Sequence, residues 1–86
     1  MPERARTKDE TFMLRLYEEA SKQEDIENPL DRYAIGVLAG LQPKAVDAIC
    51  NLLAQANFIK KQGKVEISIT PHGIKLVENI RLKNSS

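Results

Sequence analysis

Apolar residues along this chain recur in two rhythms. Between Lys8 and Lys22 the residues Phe12, Met13, Leu16, Tyr17 and Ala20 return at helical spacing, while Arg15, Glu18, Glu19 and Lys22 take the other side. Thr7 followed by Glu10 reads as a capping box, in which each side chain satisfies a free backbone N–H of the other residue. The polar stretch "SKQEDIENP" ends in Asn-Pro and predicts a loop, anchored to the core by Ile26 and Leu30. A second helix is expected from Arg32 to about Ala39, with Asp31 as its N-cap, or Asn28 ahead of Pro29 as the rival cap. Tyr33, Ile35, Val37 and Leu38 supply its apolar contacts. Gly40 sits where the helix ends and the chain needs φ > 0. Pro43 suits the first turn of a third helix running to about Ala56, with Val46, Ile49, Cys50, Leu53 and Ala56 facing inward and Leu52 at the edge.

The period then changes. Phe58–Lys61 and Val65–Ile69 read as two short strands joined by a tight Gln62-Gly63 turn. Val65, Ile67 and Ile69 alternate with Glu66 and Ser68, which predicts a hairpin with one buried face. Thr70 before Pro71 predicts the start of a last helix, ending near Leu82, with Leu76, Val77 and Ile80 as its stripe and Ile74 beside it. Residues 1–6 and the final "KNSS" are expected to be disordered around a single domain spanning 7–82. The expected fold class is α+β, mostly helical. A chain of 86 residues buries only about 60–65% of its unfolded surface, so the core is small.

The order helix, helix, turn, helix, hairpin, helix resembles the winged helix-turn-helix family of DNA-binding proteins, in particular MarR-like transcription regulators. Gly36, Gly40 and Val46 hold the spacing of that family's motif: a small residue where two helices touch, a Gly at the turn, and a Val or Ile in the second helix. Ile35, Leu41 and Ile49 occupy the apolar positions beside them. The physical reason is packing, since a small residue lets the helices cross closely and Gly permits the sharp turn. In "ISITPHGIKLV", Thr70 and Gly73 match the family's junction between wing and last helix. Together the matches cover residues 31–80.

The resemblance implies that the helix from Pro43 enters the major groove of double-stranded DNA. Residues projecting away from Val46 and Ile49 are Lys44, Ala45, Asp47, Ala48, Asn51 and Gln55. Asn51 and Gln55 are suited to adenine, Lys44 to guanine or phosphate, and Asp47 to a cytosine amino group, although phosphate would repel it. Gln42 and Lys44 lie at a helix N-terminus, which favours phosphate. Lys60, Lys61 and Lys64 would set the wing on the backbone, and Arg32 could touch a phosphate from the start of the preceding helix. If about five cations meet phosphates, the log–log salt slope of binding is about −4 to −5 per protomer. The family also implies a homodimer through the first and last helices, for which Ile74 and Leu82 are candidate apolar residues beyond what one small core buries; the plainer reading is that they pack within their own domain.

Charge sharpens this picture. Residues 32–65 hold five basic residues (Arg32, Lys44, Lys60, Lys61, Lys64) and one acid (Asp47), net +4, whereas residues 1–31 are net −4. An electropositive middle is a mild nucleic-acid footprint; the plainer reading is that lysines solubilise a hairpin tip. The outer face of the helix from Pro43 carries no Arg, two alanines and an acid, so a protein-interaction module without DNA binding is the alternative. No apolar run approaches the roughly 18 residues that span a membrane. The start "MPERARTKDE" lacks the apolar segment of a secretory signal, so a cytoplasmic setting is expected. One Cys and one His fall short of the about four ligands of a structural zinc site, and with no Gly-rich phosphate loop or catalytic constellation neither cofactor nor enzyme activity is expected. The absence of Trp, with two Phe and two Tyr, argues against a stacking platform for single strands. Cys50 reads as a small core residue, with a redox switch as the rarer possibility. His72 reads as a surface residue, and Tyr17 and Tyr33 as core-edge aromatics.

Overall fold

The computed structural model describes residues 7–84. The expected disorder of residues 1–6 lies outside the described residues, as does the end of the tail at 85–86. Thr7 and Glu10 close the capping box: Glu10 N–H donates to Thr7 Oγ1 at 3.2 Å, and Thr7 N–H donates to Glu10 Oε1 at 3.0 Å. Helix α1 (Lys8–Ala20) follows. It stops two residues short of the periodicity because Ser21 closes it, both its N–H (2.9 Å) and its hydroxyl (2.7 Å) donating to the Tyr17 carbonyl.

The segment before α2 departs from expectation. Leu30–Asp31 is a short strand, β1, paired antiparallel with β3 (Glu66–Ile69) through Leu30 opposite Ile67 and Asp31 opposite Glu66. With β2 (Ile59–Gln62) the sheet has three strands in the order β1-β3-β2, where two strands were expected. Asp31 also caps α2 (Arg32–Leu38), its Oδ1 accepting from Tyr33 N–H at 2.8 Å, so it prevails over Asn28.

Helices α2 and α3 (Pro43–Gln55) meet at Gly36. A Cβ built there would lie 2.3 Å from Val46 Cγ2, closer than atoms can approach, so only Gly lets Val46 seat against α2. Gly40 has a different reason. Nothing lies near its missing Cβ, but its φ is +73°, a conformation that L side chains rarely adopt. Asn57 ends α3 with φ 65°, and Phe58 N–H donates to the Leu53 carbonyl at 2.9 Å, a left-handed C-terminal closure that the sequence reading passed over.

Thr70 organises the other joint. Its N–H donates to the Phe58 carbonyl (3.2 Å), its hydroxyl donates to the Asn57 carbonyl (2.6 Å), and the same oxygen accepts from Gly73 N–H (3.0 Å). A Cβ on Gly73 would sit 2.1 Å from the Phe58 carbonyl oxygen. The spacing of Thr70 and Gly73 is thus the spacing of one cap and one close crossing. Helix α4 (Pro71–Asn84) runs two residues beyond the expected end.

The core gathers Phe12, Met13 and Leu16 of α1, Ile35 of α2, Val46 and Cys50 of α3, Ile67 and Ile69 of β3, and Val77 of α4, all nearly inaccessible to solvent. Three helical apolar residues expected to help build it do not: Val37 is 75% exposed, with Leu38 and Ala56 also outside, and Leu52, expected at the edge, is 62% exposed. A helix as short as α2 buries little more than Ile35 and Gly36. The hairpin loop is Gly63-Lys64-Val65 rather than a two-residue turn, since Gln62 pairs with Glu66; this lifts Val65 out of the buried face.

Candidate nucleic-acid interface

The outer face of α3 is free of core packing. Lys44, Ala48, Asn51, Leu52 and Gln55 are all exposed, opposite the buried row Val46, Ile49, Cys50 and Leu53. At its start Gln42 is the N-cap residue, exposed and making no side-chain cap bond, and Pro43 occupies the first turn. No acid lies in that turn, and Lys44 does. The free N–H groups and the aligned peptide dipoles therefore present positive potential there.

The hairpin register divides its lysines. Residues directly opposite in an antiparallel ladder share a face, and successive residues alternate. Lys61 pairs with Ile67, and Ile59 with Ile69, so Lys61 shares the face of the buried isoleucines and runs toward the helices. There its Nζ donates to Asn51 Oδ1 of α3. Lys60 pairs with Ser68 and lies on the opposite face, exposed. Gln62 Nε2 reaches Ser68 Oγ at 3.3 Å on that same face. Lys64 is exposed at the loop. Hence Lys44, Lys61 and Asn51 sit along one strip from the start of α3 to the hairpin, Lys64 stands at the tip, and Gln55 ends the helix.

Arg32 and Asp47 are placed differently. The Arg32 side chain is only 15% exposed. Its Nε lies 3.6 Å from Asp47 Oδ1, an ion pair beyond hydrogen-bond reach, and that buried Nε has no hydrogen-bond partner among the described residues. One terminal nitrogen, Nη2, donates to the Lys64 carbonyl at 3.3 Å, and the backbone N–H donates to the Val65 carbonyl at 3.1 Å. Tyr33 O–H donates to the same Asp47 Oδ1 at 2.6 Å, and the guanidinium lies 5.3 Å from the Tyr33 ring centre. Tyr33 raises the Arg32 pKa above its ordinary value, against the opposing pull of burial, and Asp47 adds to the rise. Arg32 is therefore a permanent cation held between α3 and the hairpin tip. Asp47 is half-exposed, but one of its oxygens already takes a hydroxyl and a guanidinium.

Neither contact set was visible in one dimension. The partners stand 14 to 33 positions apart along the chain. The single trace is Asp47 itself, an acid on an otherwise basic segment. Cys50 is fully buried and unpaired with any other cysteine, and burial pushes its thiol up to about 11. His72 is exposed, stacked on Phe58 with ring centres 4.8 Å apart.

At the other end of the molecule α1 and α4 pack together. Leu14, Tyr17, Glu18 and Arg81 line a cleft there, with the Arg81 guanidinium 5.8 Å from the Tyr17 ring centre, and Leu82 is exposed. Among the described residues no helix is long and apolar enough to cross a membrane, and no three His, Cys, Asp or Glu side chains gather as a metal site. No family model matches the chain, and neither a curated protein nor a solved structure matches it.

Proposed function

We propose that this chain is a winged-helix protein that binds duplex DNA as a transcriptional regulator, with α3 in the major groove and the β2–β3 hairpin as a wing along the backbone. One observation carries the reading. The solvent-facing side of α3 is framed by the exposed cations Lys44, Lys61 and Lys64, while the one acid of that segment, Asp47, is partnered by Arg32 and Tyr33. Phosphate binding supplies most of the affinity of such a face. Base reading falls to Asn51 and Gln55, whose amides match the adenine edge, with Lys44 at a guanine or phosphate. The Lys61 ammonium orients the Asn51 amide and leaves its NH₂ free to donate.

Fluorescence anisotropy with a labelled mixed-sequence duplex tests this. Three phosphate contacts, from Lys44, Lys61 and Lys64, give a log–log salt slope of about −2.7 per protomer, Lys60 lying on the opposite face of the hairpin. In an NMR titration at low salt, shifts concentrate on Lys44, Asn51 and residues 60–64. No shift anywhere at high micromolar duplex sinks the proposal.

A second reading rests on a specific observation. Val37 and Leu52 expose most of their surface, which suits a protein partner better than phosphate. Binding to a protein through this face would respond weakly to salt. A homodimer through α1 and α4 would double the DNA contacts and read half-sites about one helical turn apart; sedimentation of the free chain decides it.

A further inference from the structure

We infer that Arg32, Asp47 and Tyr33 form a positioning lock that fixes the hairpin tip, and with it the Lys64 cation, relative to α3. This goes beyond the DNA-binding reading in assigning the two charged residues of the lock a role through other residues, and its binding arm rests on that reading.

The geometry carries it. Arg32 is the first residue of α2 and links that helix to both the hairpin loop and α3. Its backbone N–H and its Nη2 hold two successive carbonyls of the hairpin loop, those of Val65 and Lys64. Its Nε faces Asp47 on α3. Asp47 is itself steadied by the Tyr33 hydroxyl, so its carboxylate is fixed before Arg32 reaches it. Gly63, Lys64 and Val65 lie outside the strand pairing, and among the described residues the hydrogen bonds from this loop to the helices are those to Arg32. The guanidinium suits this place because its planar fork reaches a carbonyl with one nitrogen while another meets the carboxylate; an ammonium is a point charge and cannot serve both. Among the described residues Asp47 bonds to Tyr33 and pairs with Arg32, and it is Arg32 that carries the link on to the hairpin. The acid that looks misplaced on a phosphate-binding segment is thereby accounted for: its charge balances a side chain that is 15% exposed, and it sets where the neighbouring cation stands.

The test uses the full chain and two readouts. The first needs no nucleic acid: backbone NMR signals of Lys64, Val65 and Glu66 in the free protein, with Val77 and Ile80 as reporters of an intact core. Arg32→Ala and Asp47→Ala should each shift the hairpin signals, Tyr33→Phe should shift them less, and the Arg32→Ala/Asp47→Ala pair should go no further than Arg32→Ala alone. The core signals should stay, since the Arg32 backbone bond and the β1 pairing remain in every variant. Arg32→Lys should fail to restore the hairpin. The second readout is affinity for a mixed-sequence duplex. Arg32→Ala, Arg32→Lys and Asp47→Ala should each weaken binding about fivefold to tenfold, non-additively in the pair, and Arg32→Ala should cost nothing further once Lys64 is Ala.

Three results overturn the lock. Hairpin signals unmoved by Arg32→Ala do so outright. Arg32→Lys binding like the natural chain, with Arg32→Ala lowering the salt slope by about 0.9, makes Arg32 a phosphate contact. Asp47→Ala altering base preference with an unmoved hairpin makes Asp47 a base reader. If no form of the chain binds duplex, the DNA-binding reading falls alone, and the free-protein signals still decide the lock.

Discussion

Helix α3 has two sides held by different physics. Its inner side meets α2 at Gly36, where Val46 occupies the space that any side chain would fill. Its outer side meets the hairpin through Lys61 and Asn51, and through Arg32 bridging Asp47 to the Lys64 carbonyl. The inner joint is set by steric exclusion, since a Cβ at Gly36 would lie 2.3 Å from Val46 Cγ2. The outer joint is set by charge and hydrogen bonds: Lys61 and Asn51 meet near water, where such a contact contributes little to stability, while the mostly buried Arg32 sets the direction of the hairpin tip. The same helix is thus seated by packing on one side and aligned by polar contacts on the other.

Breaking the inner side should give the largest effects. Gly73→Ala, at the equivalent close crossing onto the Phe58 carbonyl, forces backbone to move, and we expect a loss at the upper end of about 1–3 kcal/mol, seen as a fall in Tm of the order of 10 °C. Gly36→Ala should cost somewhat less because its obstacle is a side chain. The double variant Gly36→Ala/Val46→Ala should then recover part of the stability lost; if it is worse than either single change, the joint is not steric in origin.

Gly40→Ala should cost about 1–2 kcal/mol from backbone strain alone, with no partner change able to restore it. Cys50 reports the same dry interior. Its thiol is neutral in the folded chain up to about pH 11 but ionises near its ordinary value of 9 once unfolded. The folded state therefore holds the proton more tightly, and stability falls as pH rises from 9 toward 11. Between pH 8 and 10 that amounts to about 1 kcal/mol, to be measured as the difference in urea denaturation between the natural chain and Cys50→Ala. Thiol reagents at pH 8 should react slowly until denaturant is added.

The smallest effects on stability belong to the outer side. Lys64→Ala and Leu52→Ala should each change it by less than about 0.5 kcal/mol. Lys64→Ala should nonetheless lower the salt slope of duplex binding by about 0.9, and Leu52→Ala should leave that slope alone. A large stability loss from either would mean that the outer side is core after all.

This division explains what could be read from sequence. Gly36, Gly40 and Val46, and Thr70 with Gly73, left marks at fixed spacing because steric exclusion acts on residue size at set steps along a helix. Strand β1 left none, since two residues have no period. The three-residue hairpin loop was misjudged by one position, because Val65 continues the alternation of Ile67 and Ile69 without sharing their burial. Val37 reads as core by its apolar type, but a helix as short as α2 buries only Ile35 and Gly36. Of the candidate interface, the lysines could be listed by charge, but their partners could not. Whether Lys61 meets Asn51, or Arg32 meets Asp47, depends on how strands and helices are stacked, and charge carries no period along the chain.

The pairing of Asp31 with Glu66 has one more consequence. It brings together the two ends of a closed circuit of chain that contains α2, α3 and most of the hairpin, and with them Lys44, Asn51, Lys60, Lys61 and Lys64. Helices α1 and α4 lie outside that circuit. Exposed residues of theirs, such as Lys8 and Lys75, can therefore be changed while the enclosed stretch and its cations are left as they stand.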